Sequence, residues 1–300
     1  MNSPAGDIDD VLSLIARCPD SAREFSISAS AVVSEFQISP EMQSRIRARG
    51  IPAIQRGGEW YYDATDMLNV ALFLEPRSRA RRVLVWWGRE LSRPYGATAK
   101  YRLDYFAECP EPGHYGVCAF RIHERYIVPQ STVGSDGQLP IHSEIFHLRR
   151  TWPTLTAPFV ELIDEYRDVT FLRLPESLRW DGEFIRRHRV ADCAGIANLL
   201  VDEGRRRGLA VRFSYGKTLT PPFTAGHYWA EFFVEGVWIP VDPVLIPALT
   251  NWGILPAESW DNKSSLGGVL ARLTGAPSRP ASHGTSEVSS SFRAVHYQPE

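Results

Sequence analysis

The sequence predicts an α+β protein whose main domain places a helix against an antiparallel sheet. Apolar residues at helical spacing follow Cys193, and two segments that alternate like strands, 227–234 and 237–242, come next along the chain. The dipeptide Glu235-Gly236 between those segments is typical of a hairpin turn. Short helices and a glycine turn within residues 26–75 predict a second, smaller domain ahead of this one.

The composition is that of a globular protein without a disulfide scaffold. Of the 300 residues, 44% are hydrophobic, 23% are charged and four are cysteine, and the formal net charge is -2. This near-neutral charge argues against a protein that coats nucleic acid or membrane. The sequence has no apolar run of about 18 residues, as a membrane-spanning helix requires, and its acidic start is unlike an export signal. We therefore expect a cytoplasmic protein with no membrane partner.

The first 75 residues are expected to form a lead and a small domain. Residues 1–25 are an acidic lead with one helix. Within residues 26–75, Ser39-Pro40 is an N-cap followed by proline at the first helical position. Gly57-Gly58 separates the two strands of a hairpin, and Asp63 or Thr65 can cap a last helix that runs to Leu74.

Residues 26–75 resemble the excisionase-type winged-helix fold. The resemblance rests on three stretches, Ala31-Val32-Val33, Arg45-Ile46-Arg47-Ala48-Arg49-Gly50-Ile51-Pro52-Ala53 and Arg56-Gly57-Gly58-Glu59-Trp60-Tyr61-Tyr62. It implies that the second helix and the wing contact DNA phosphates through their arginines. Six acidic residues accompany the four arginines of this region, however, and that balance is unlike an operator-binding domain. We favour a docking or substrate-covering role over DNA binding.

A cluster of arginines begins the region 76–150. Arg79, Arg81 and Arg82 are candidate contacts for an anionic partner such as a phosphate-bearing carrier, although a solvated helix face is the simpler interpretation. The rest of this region alternates like strands and is expected to pack with the main domain, residues 151–275. The tail, residues 276–300, is rich in Ser, Pro and Gly and is expected to be flexible.

Cys193 is expected in the first turn of a helix. Ile196, Leu199 and Leu200 have the i, i+3, i+4 spacing of a buried helix face, and the helix ends near Gly204. The free amides and the positive dipole end of a first turn favour a thiolate over a thiol. Cys193 is therefore a candidate nucleophile.

His227 and Asp242 are expected to meet across the hairpin. If Val234 pairs with Val237, His227 and Asp242 lie on one face of the sheet as diagonal neighbours within side-chain reach. An aspartate there fixes the tautomer of the imidazole and stabilises its charged form, which leaves the other ring nitrogen for a sulfur. A cysteine on a helix start, a histidine on a strand and an aspartate on the next strand form a complete thiol nucleophile.

This block resembles the transglutaminase-like superfamily, whose fold is related to that of papain-like proteases. The resemblance covers residues 180–250 best and rests on three elements in order: the helix led by Cys193, the run His227-Tyr228-Trp229-Ala230-Glu231, and the run Trp238-Ile239-Pro240-Val241-Asp242-Pro243. It implies that Cys193 is the nucleophile, His227 the general acid and base, and Asp242 the acid that orients the imidazole. It also implies acyl transfer through a thioester.

Four further residues are assigned to the same site. Trp229 and Trp238 are expected to form its walls. The family's usual Gly-x-Cys start is replaced by Val190-Ala191-Asp192-Cys193. An acid therefore abuts the nucleophile, and its negative charge is expected to raise the pKa of the thiol. Trp180 is a candidate side chain for an oxyanion hole, to which the amide of Cys193 would add one donor.

A second group of soft ligands consists of Cys109, His114, Cys118 and His123. The spacing of its cysteines is not the short Cys-x2-4-Cys knuckle of zinc sites. Cys118 and His123 also have opposite parity on an apparent strand. We therefore expect no metal, and the sequence has no glycine-rich phosphate loop that would indicate a nucleotide cofactor.

The function predicted from the sequence is that of a cysteine acyltransferase. It would form or exchange an amide bond on a small-molecule or carrier-bound acyl group in biosynthesis, with an acyl donor and an amine or water acceptor as partners. An acyl or peptidyl carrier protein is a candidate partner, and nucleic acid is a less favoured one. Two alternatives stay open: a cysteine peptidase or amidase with the same triad, and a DNA-associated regulator whose triad is vestigial.

Overall fold

The computed structural model describes residues 7–94, 96–129 and 139–297 of the chain. Over these residues helices alternate with mainly antiparallel sheets, which confirms the predicted combination of helices and antiparallel strands. None of the helices in this part of the chain combines the length and the apolar character that crossing a membrane requires.

The N-terminal part of the chain places helices around a three-stranded sheet. Its elements are α1 (Ile8–Ile15), β1 (Phe25–Ser28), α2 (Ala29–Phe36), α3 (Pro40–Ala48), β2 (Ile54–Arg56), β3 (Glu59–Asp63) and α4 (Ala64–Leu74). Ser39 caps α3 and Asp63 caps α4, as their side-chain chemistry predicts. Gly57 and Gly58 turn the β2–β3 hairpin at φ values of 57° and 84°, which favour glycine. The predicted helices and hairpin are present, while the winged-helix assignment stays a prediction.

A buried ion pair fastens the lead to α4. Arg23 Nε lies 2.7 Å from Asp66 Oδ2, and the two side chains are 1% and 3% exposed. The same guanidinium donates to the carbonyls of Ile15 and Cys18. Burial raises the pKa of Asp66 to about 6 in spite of Arg23, so the pair is fully charged only above that pH. The lead is therefore anchored to the domain that follows it.

The described residues in the middle of the chain form one helix and four strands. These are α5 (Arg79–Leu91), β4 (Thr98–Ala107), β5 (Phe120–Ile122), β6 (Arg125–Ile127) and β7 (His142–Arg149). β4 pairs with β7 along eight residues, and β5 pairs with β6 in a tight hairpin. The turn of that hairpin holds His123 and Glu124 at positive φ.

The second half of the chain packs a long helix on a four-stranded antiparallel sheet. Its elements are α6 (Ala157–Asp164), β8 (Thr170–Phe171), α7 (Glu176–Arg179), α8 (Gly182–His188), β9 (Val190–Ala191), α9 (Cys193–Arg206), β10 (Val211–Thr218), β11 (Gly226–Val234), β12 (Val237–Val241), α10 (Leu245–Asn251) and β13 (Leu270–Thr274). The strand order is β12-β11-β10-β13. Val234 pairs with Val237, so the predicted hairpin register is confirmed.

Residues 282–296 of the C-terminal segment contribute strands to two sheets. For that part of residues 276–300 the expectation of a flexible tail is corrected, and residues 298–300 lie outside the described residues. β14 (Ser282–His283) pairs with β5, β15 (Ser286–Glu287) pairs with β14, and β16 (Ser290–His296) pairs with β4. Backbone hydrogen bonds to the long strand β4 hold β16 in place. The ring of Phe292 also packs against that of Tyr105, with centroids 5.3 Å apart. The polar composition did not indicate β16, because an edge strand that pairs with a long partner needs few apolar residues.

Two hydrophobic cores organise the described residues. The larger one runs from Met67 and Trp87 in the N-terminal part to Leu200 on α9 and Phe232 on β11. The smaller one lies among the strands of the middle and C-terminal segments, around Tyr101. The helix that begins at Cys193 therefore shares one core with α4 and α5, while the domain boundaries given above stay predictions.

Replacing Asp66 by alanine is expected to lower the free energy of unfolding by about 3–5 kcal/mol, because the Arg23 guanidinium would stay buried without its carboxylate. Asp20→Ala is the matched control, since Asp20 pairs with the same arginine but its side chain is 80% exposed. That control should cost about 1 kcal/mol or less. Urea unfolding at neutral pH measures both, and equal losses would contradict the anchoring role of the buried pair.

Candidate active site

Cys193, His227 and Asp242 meet where α9, β11 and β12 come together. Cys193 is the first residue of α9, His227 lies at the start of β11, and Asp242 directly follows β12. His227 Nε2 is 2.9 Å from Asp242 Oδ2. The three residues are 4%, 3% and 1% exposed, respectively. The structure therefore brings together the three residues that the sequence predicted, in a site closed to bulk solvent.

The register of the hairpin explains the contact between His227 and Asp242. Ala230 pairs with Val241, so the next position places Asp242 opposite Trp229 and diagonal to His227. The other carboxylate oxygen of Asp242 accepts hydrogen bonds from the amides after it, those of Val244 and Leu245, at 3.3 and 3.0 Å. The carboxylate is thus held by its own turn and presents Oδ2 to the imidazole.

His227 is surrounded by groups that stabilise its charged form. Burial by itself lowers the pKa of this imidazole, but the negative charges of the nearby Cys193 and Asp242 raise it to about 9. Since Nε2 faces Asp242, Nδ1 is the nitrogen left for the sulfur. An imidazolium between a carboxylate and a sulfur is the arrangement of a thiolate–imidazolium pair.

Asp192, the acid beside the nucleophile, is bound by hydrogen-bond and ion-pair partners that the sequence did not indicate. Its buried carboxylate accepts hydrogen bonds from the amides of Ala194 and Gly195 at 3.1 and 3.0 Å and so caps α9. Its second oxygen pairs with Arg179 Nη2 at 2.9 Å. The acid beside the nucleophile therefore starts the helix that carries Cys193, and its charge is balanced by an arginine.

Arg173 is a neighbour of the thiol that the sequence analysis missed. Its Nη1 lies 4.0 Å from Cys193 Sγ, and a guanidinium at that position favours a thiolate. β8 and β9 run parallel and end at Phe171 and Ala191, so Arg173 and Cys193 leave their strands side by side. Strands of two residues have no periodic signal, and for this reason the sequence did not indicate the contact.

The N-terminal part of the chain supplies one side of the site. Asn69 on α4 holds the backbone of Arg173 with two hydrogen bonds: it accepts from the amide at 2.8 Å and donates to the carbonyl at 2.9 Å. Trp87 on α5 packs edge-on against His227, with ring centroids 5.2 Å apart. Its indole N–H is buried and has no hydrogen-bond partner among the described residues. α4 and α5 therefore form part of the wall around the three residues.

Of the two tryptophans expected as walls, one lies at the site. Trp229 is buried and stacks on His227 with ring centroids 6.2 Å apart. Trp238 pairs with Phe233 at the far end of the hairpin. It is four residues from Asp242, which is about 13 Å along a strand. Trp238 therefore shares a face of the sheet with Asp242 but lies at the other end of its strand, and its role as a wall of the site stays a prediction.

Trp180 does not offer a free donor for an oxyanion, contrary to its assignment from the sequence. Its indole N–H donates to Glu176 Oε1 at 2.8 Å, and its ring packs against Tyr228. Burial raises the pKa of Tyr228 and Tyr215, and the charge of Cys193 adds to the effect at both phenols. Both phenols thus lie within electrostatic range of the thiol.

The three arginines expected to contact an anionic partner divide between surface and core. Arg79 and Arg82 are exposed. Arg81 is 1% exposed, donates to the carbonyl of Leu72 at 2.7 Å and lies 4.5 Å above the ring of Trp252. Burial lowers the pKa of Arg81 to about 10. Arg81 fastens α5 to the core and is not accessible to a partner.

The second group of candidate metal ligands differs from the predicted one in one residue. His123 is directed away from it, with Nδ1 2.7 Å from Ser278 Oγ. His283 of β14 takes its place, and its Nε2 lies 3.5 Å from Cys118 Sγ and 3.8 Å from Cys109 Sγ. His283 is 165 residues from Cys118 along the chain, so no local motif could have indicated this contact.

We expect the imidazole of His227 to titrate near pH 9, above the ordinary value of 6.5. Cys193→Ser removes the negative charge that raises this pKa most, so the midpoint should move to lower pH. NMR of isotope-labelled histidine measures the midpoint, and His227→Ala identifies the resonance. Because the folded value lies above the unfolded one, the stability that protonated His227 contributes is complete below pH 6.5 and is lost as the pH rises through about 9.

An unchanged midpoint in Cys193→Ser would contradict the contact between the thiol and the ring. Asp242→Asn serves as the second variant, since it removes the other negative partner and should also lower the midpoint.

A family model matches the part of the chain that contains the candidate site. Residues 165–243, which include all three residues of the site, match the family model described as the transglutaminase-like superfamily. No curated protein gives a significant match. A solved structure described as a "putative cysteine protease" from Cytophaga hutchinsonii is 12% identical, with 68% of this chain and 89% of that chain covered and a TM-score of 0.27. The family match confirms the transglutaminase-like resemblance over residues 165–243 and supports a cysteine-based enzyme.

Proposed function

We propose that the chain is a cysteine acyltransferase that carries an acyl group as a thioester on Cys193 and forms or exchanges an amide bond. The contact of His227 with Asp242 at 2.9 Å, beside a buried cysteine at the start of a helix, carries the proposal. This arrangement contains a nucleophile, a group that can give and take a proton, and an acid that orients it.

The first half-reaction forms the thioester. The Cys193 sulfur attacks the carbonyl carbon of the donor, a C–S bond forms, and the bond to the leaving group breaks as His227 gives that group its Nδ1 proton. Asp192 occupies the amides of Ala194 and Gly195, which leaves the amide of Cys193 as the first-turn donor for the oxyanion. The unpartnered indole N–H of Trp87 is a candidate for the second donor.

The second half-reaction releases the acyl group. An amine attacks the thioester carbonyl, the now neutral His227 takes its proton, and the C–S bond breaks to restore the thiolate beside the imidazolium. Asp242 holds the ring through Nε2 in both halves. With water in place of the amine, the same steps would hydrolyse the thioester, which is the chemistry of a peptidase or amidase.

The burial of the site favours transfer over hydrolysis. Cys193 and His227 are 4% and 3% exposed, and the rings of Trp87 and Trp229 pack on the imidazole. Aromatic walls exclude bulk water from a reactive thioester, so a bound amine can compete with water for it.

The contacts of the N-terminal part give the DNA-binding alternative less support. Arg47 donates to the hydroxyl of Tyr62, and Arg49 pairs with Asp9 at 3.1 Å. These intramolecular contacts engage two of the arginines that would bind phosphates, and α4 reaches the candidate site through Asn69. We infer that this part of the chain covers the site.

Cys193 is expected to react with iodoacetamide at neutral pH at least about tenfold faster than Cys18 does. Burial raises the pKa of Cys18 to about 11, so this cysteine is an internal control for an inert thiol. His227→Ala should remove most of the difference, because no imidazolium then stabilises the thiolate. Peptide mass spectrometry measures labelling at each cysteine. Equal rates at Cys193 in the wild type and in His227→Ala would overturn the proposed pair.

With a small acyl thioester as donor, the wild-type protein should form an acyl adduct on Cys193 and yield more amide than free acid once a primary amine is supplied. Intact mass spectrometry detects the adduct, and chromatography measures the amide and the free acid. Cys193→Ser should form no thioester adduct and should yield neither product above the uncatalysed rate. A surplus of free acid at saturating amine would favour the hydrolase alternative. Failure of every donor to acylate a Cys193 that alkylates normally would argue against acyl transfer.

The same assay tests a carrier protein as the source of the acyl group. The exposed Arg79 and Arg82 suit an acidic carrier. The double variant Arg79→Glu, Arg82→Glu should therefore slow transfer from a carrier-bound donor and leave the rate of transfer from the small thioester unchanged. Equal slowing of both donors would contradict the carrier contact.

A further inference from the structure

Four side chains that commonly bind metals converge at a distance from the candidate active site. Cys109, His114, Cys118 and His283 offer ligand atoms that all lie within 4.8 Å of one another. Three of them belong to the loop between β4 and β5, and His283 comes from β14 of the C-terminal segment. Both cysteines are free thiols.

The distances in this cluster agree with a tetrahedral ion. Zinc bonds of about 2.3 Å to sulfur and about 2.0–2.1 Å to nitrogen place neighbouring sulfur and nitrogen ligands about 3.6 Å apart in a tetrahedron. His283 Nε2 lies 3.5 Å from Cys118 Sγ and 3.8 Å from Cys109 Sγ. The rings of His114 and His283 are 4.7 Å apart and inclined at 66°, so both can face one ion.

A backbone contact orients one of the histidines as a ligand. His114 Nδ1 lies 3.2 Å from the carbonyl of Tyr115. A proton on that nitrogen leaves Nε2 unprotonated and available to a metal, which is the usual second contact of a metal-binding histidine. Gly113 and Gly116 bend the loop around His114 at φ values of 83° and 99°, and a Cβ at either position would contact nothing within 4 Å. These glycines therefore serve the path of the loop rather than its packing.

The loop directs its apolar side chains outward and its metal-binding side chains inward. Tyr115 is fully exposed and Val117 is 70% exposed, whereas Cys109, His114, Cys118 and His283 are half-buried. Hydrophobic burial would give the opposite arrangement. Four ligands that converge on one ion would have this arrangement.

We propose that Cys109, His114, Cys118 and His283 bind one zinc ion in a structural site. Two thiolates and two imidazoles suit zinc and are poor ligands for magnesium or calcium. Four protein ligands leave no open position for a substrate, so the ion would hold the fold and not take part in the reaction. The expectation of no metal rested on the wide spacing of the two cysteines and on the opposite parity of Cys118 and His123. In the structure His283, and not His123, completes the cluster.

The ion would join the β4–β5 loop to the C-terminal segment. That segment reaches β14 after passing Ser278, which accepts or donates a hydrogen bond at His123 and contacts Tyr215, a neighbour of Cys193. Zinc at His283 would therefore fix the end of a segment whose other end borders the candidate active site.

Metal analysis of the full-length protein, purified without chelator, tests the site. We expect one zinc per chain, and cobalt exchanged into the site should give the visible absorption of tetrahedral thiolate coordination. His283→Ala and Cys118→Ser should lose the zinc. A thiol reagent should then label Cys109 and Cys118 in His283→Ala, and Cys109 in Cys118→Ser. His123→Gln is the matched control and should keep the metal, since its imidazole is outside the cluster.

Circular dichroism separates loss of metal from loss of fold in these variants, and cobalt absorption by the wild type tests the site without any substitution. A wild-type protein that takes up neither zinc nor cobalt would overturn the proposal. So would full zinc content in a folded His283→Ala variant, or a disulfide between Cys109 and Cys118 in the freshly purified protein.

Discussion

A charged imidazole enclosed within the protein requires negative groups on both sides, and this requirement organises the centre of the structure. His227 is nearly inaccessible to solvent, and yet Cys193 and Asp242 raise its pKa instead of letting burial lower it. Each of its negative partners is supported in turn. Asp242 is held by backbone amides, and the sulfur of Cys193 lies near the guanidinium of Arg173. The ion pair of Asp192 with Arg179 balances the acid that starts the helix.

Local chemistry made much of this structure predictable. Ser39 and Asp63 identified two helix starts from their capping side chains, and the pairing of Val234 with Val237 sufficed to bring His227 to Asp242. These predictions succeeded because a cap and a hairpin register involve residues that are close in sequence. The distance of Trp238 from Asp242 was not predicted, since alternation along a strand indicates a side and not a distance.

The contacts that the sequence did not reveal join distant segments. Arg173 lies near the thiol because the two-residue strands β8 and β9 pair side by side. Trp87 contacts His227 from a helix more than one hundred residues earlier in the chain. His283 replaces His123 for a similar reason, since β14 pairs with β5 although the two strands are far apart in sequence. The polar composition of the C-terminal segment predicted flexibility, but hydrogen bonds to β4 order it without a large apolar surface.

The two hydrogen bonds from Asn69 to the backbone of Arg173 have a consequence for where this molecule can be divided. Asn69 stands one helical turn after Asp66, the residue that holds Arg23, so direct contacts lead from the first helix of the chain to the cysteine. The family match covers residues 165–243 and contains every residue of the triad, but it contains neither Asn69 nor Trp87. A fragment cut to that stretch would keep the three residues of the candidate site but lose two side chains that support them.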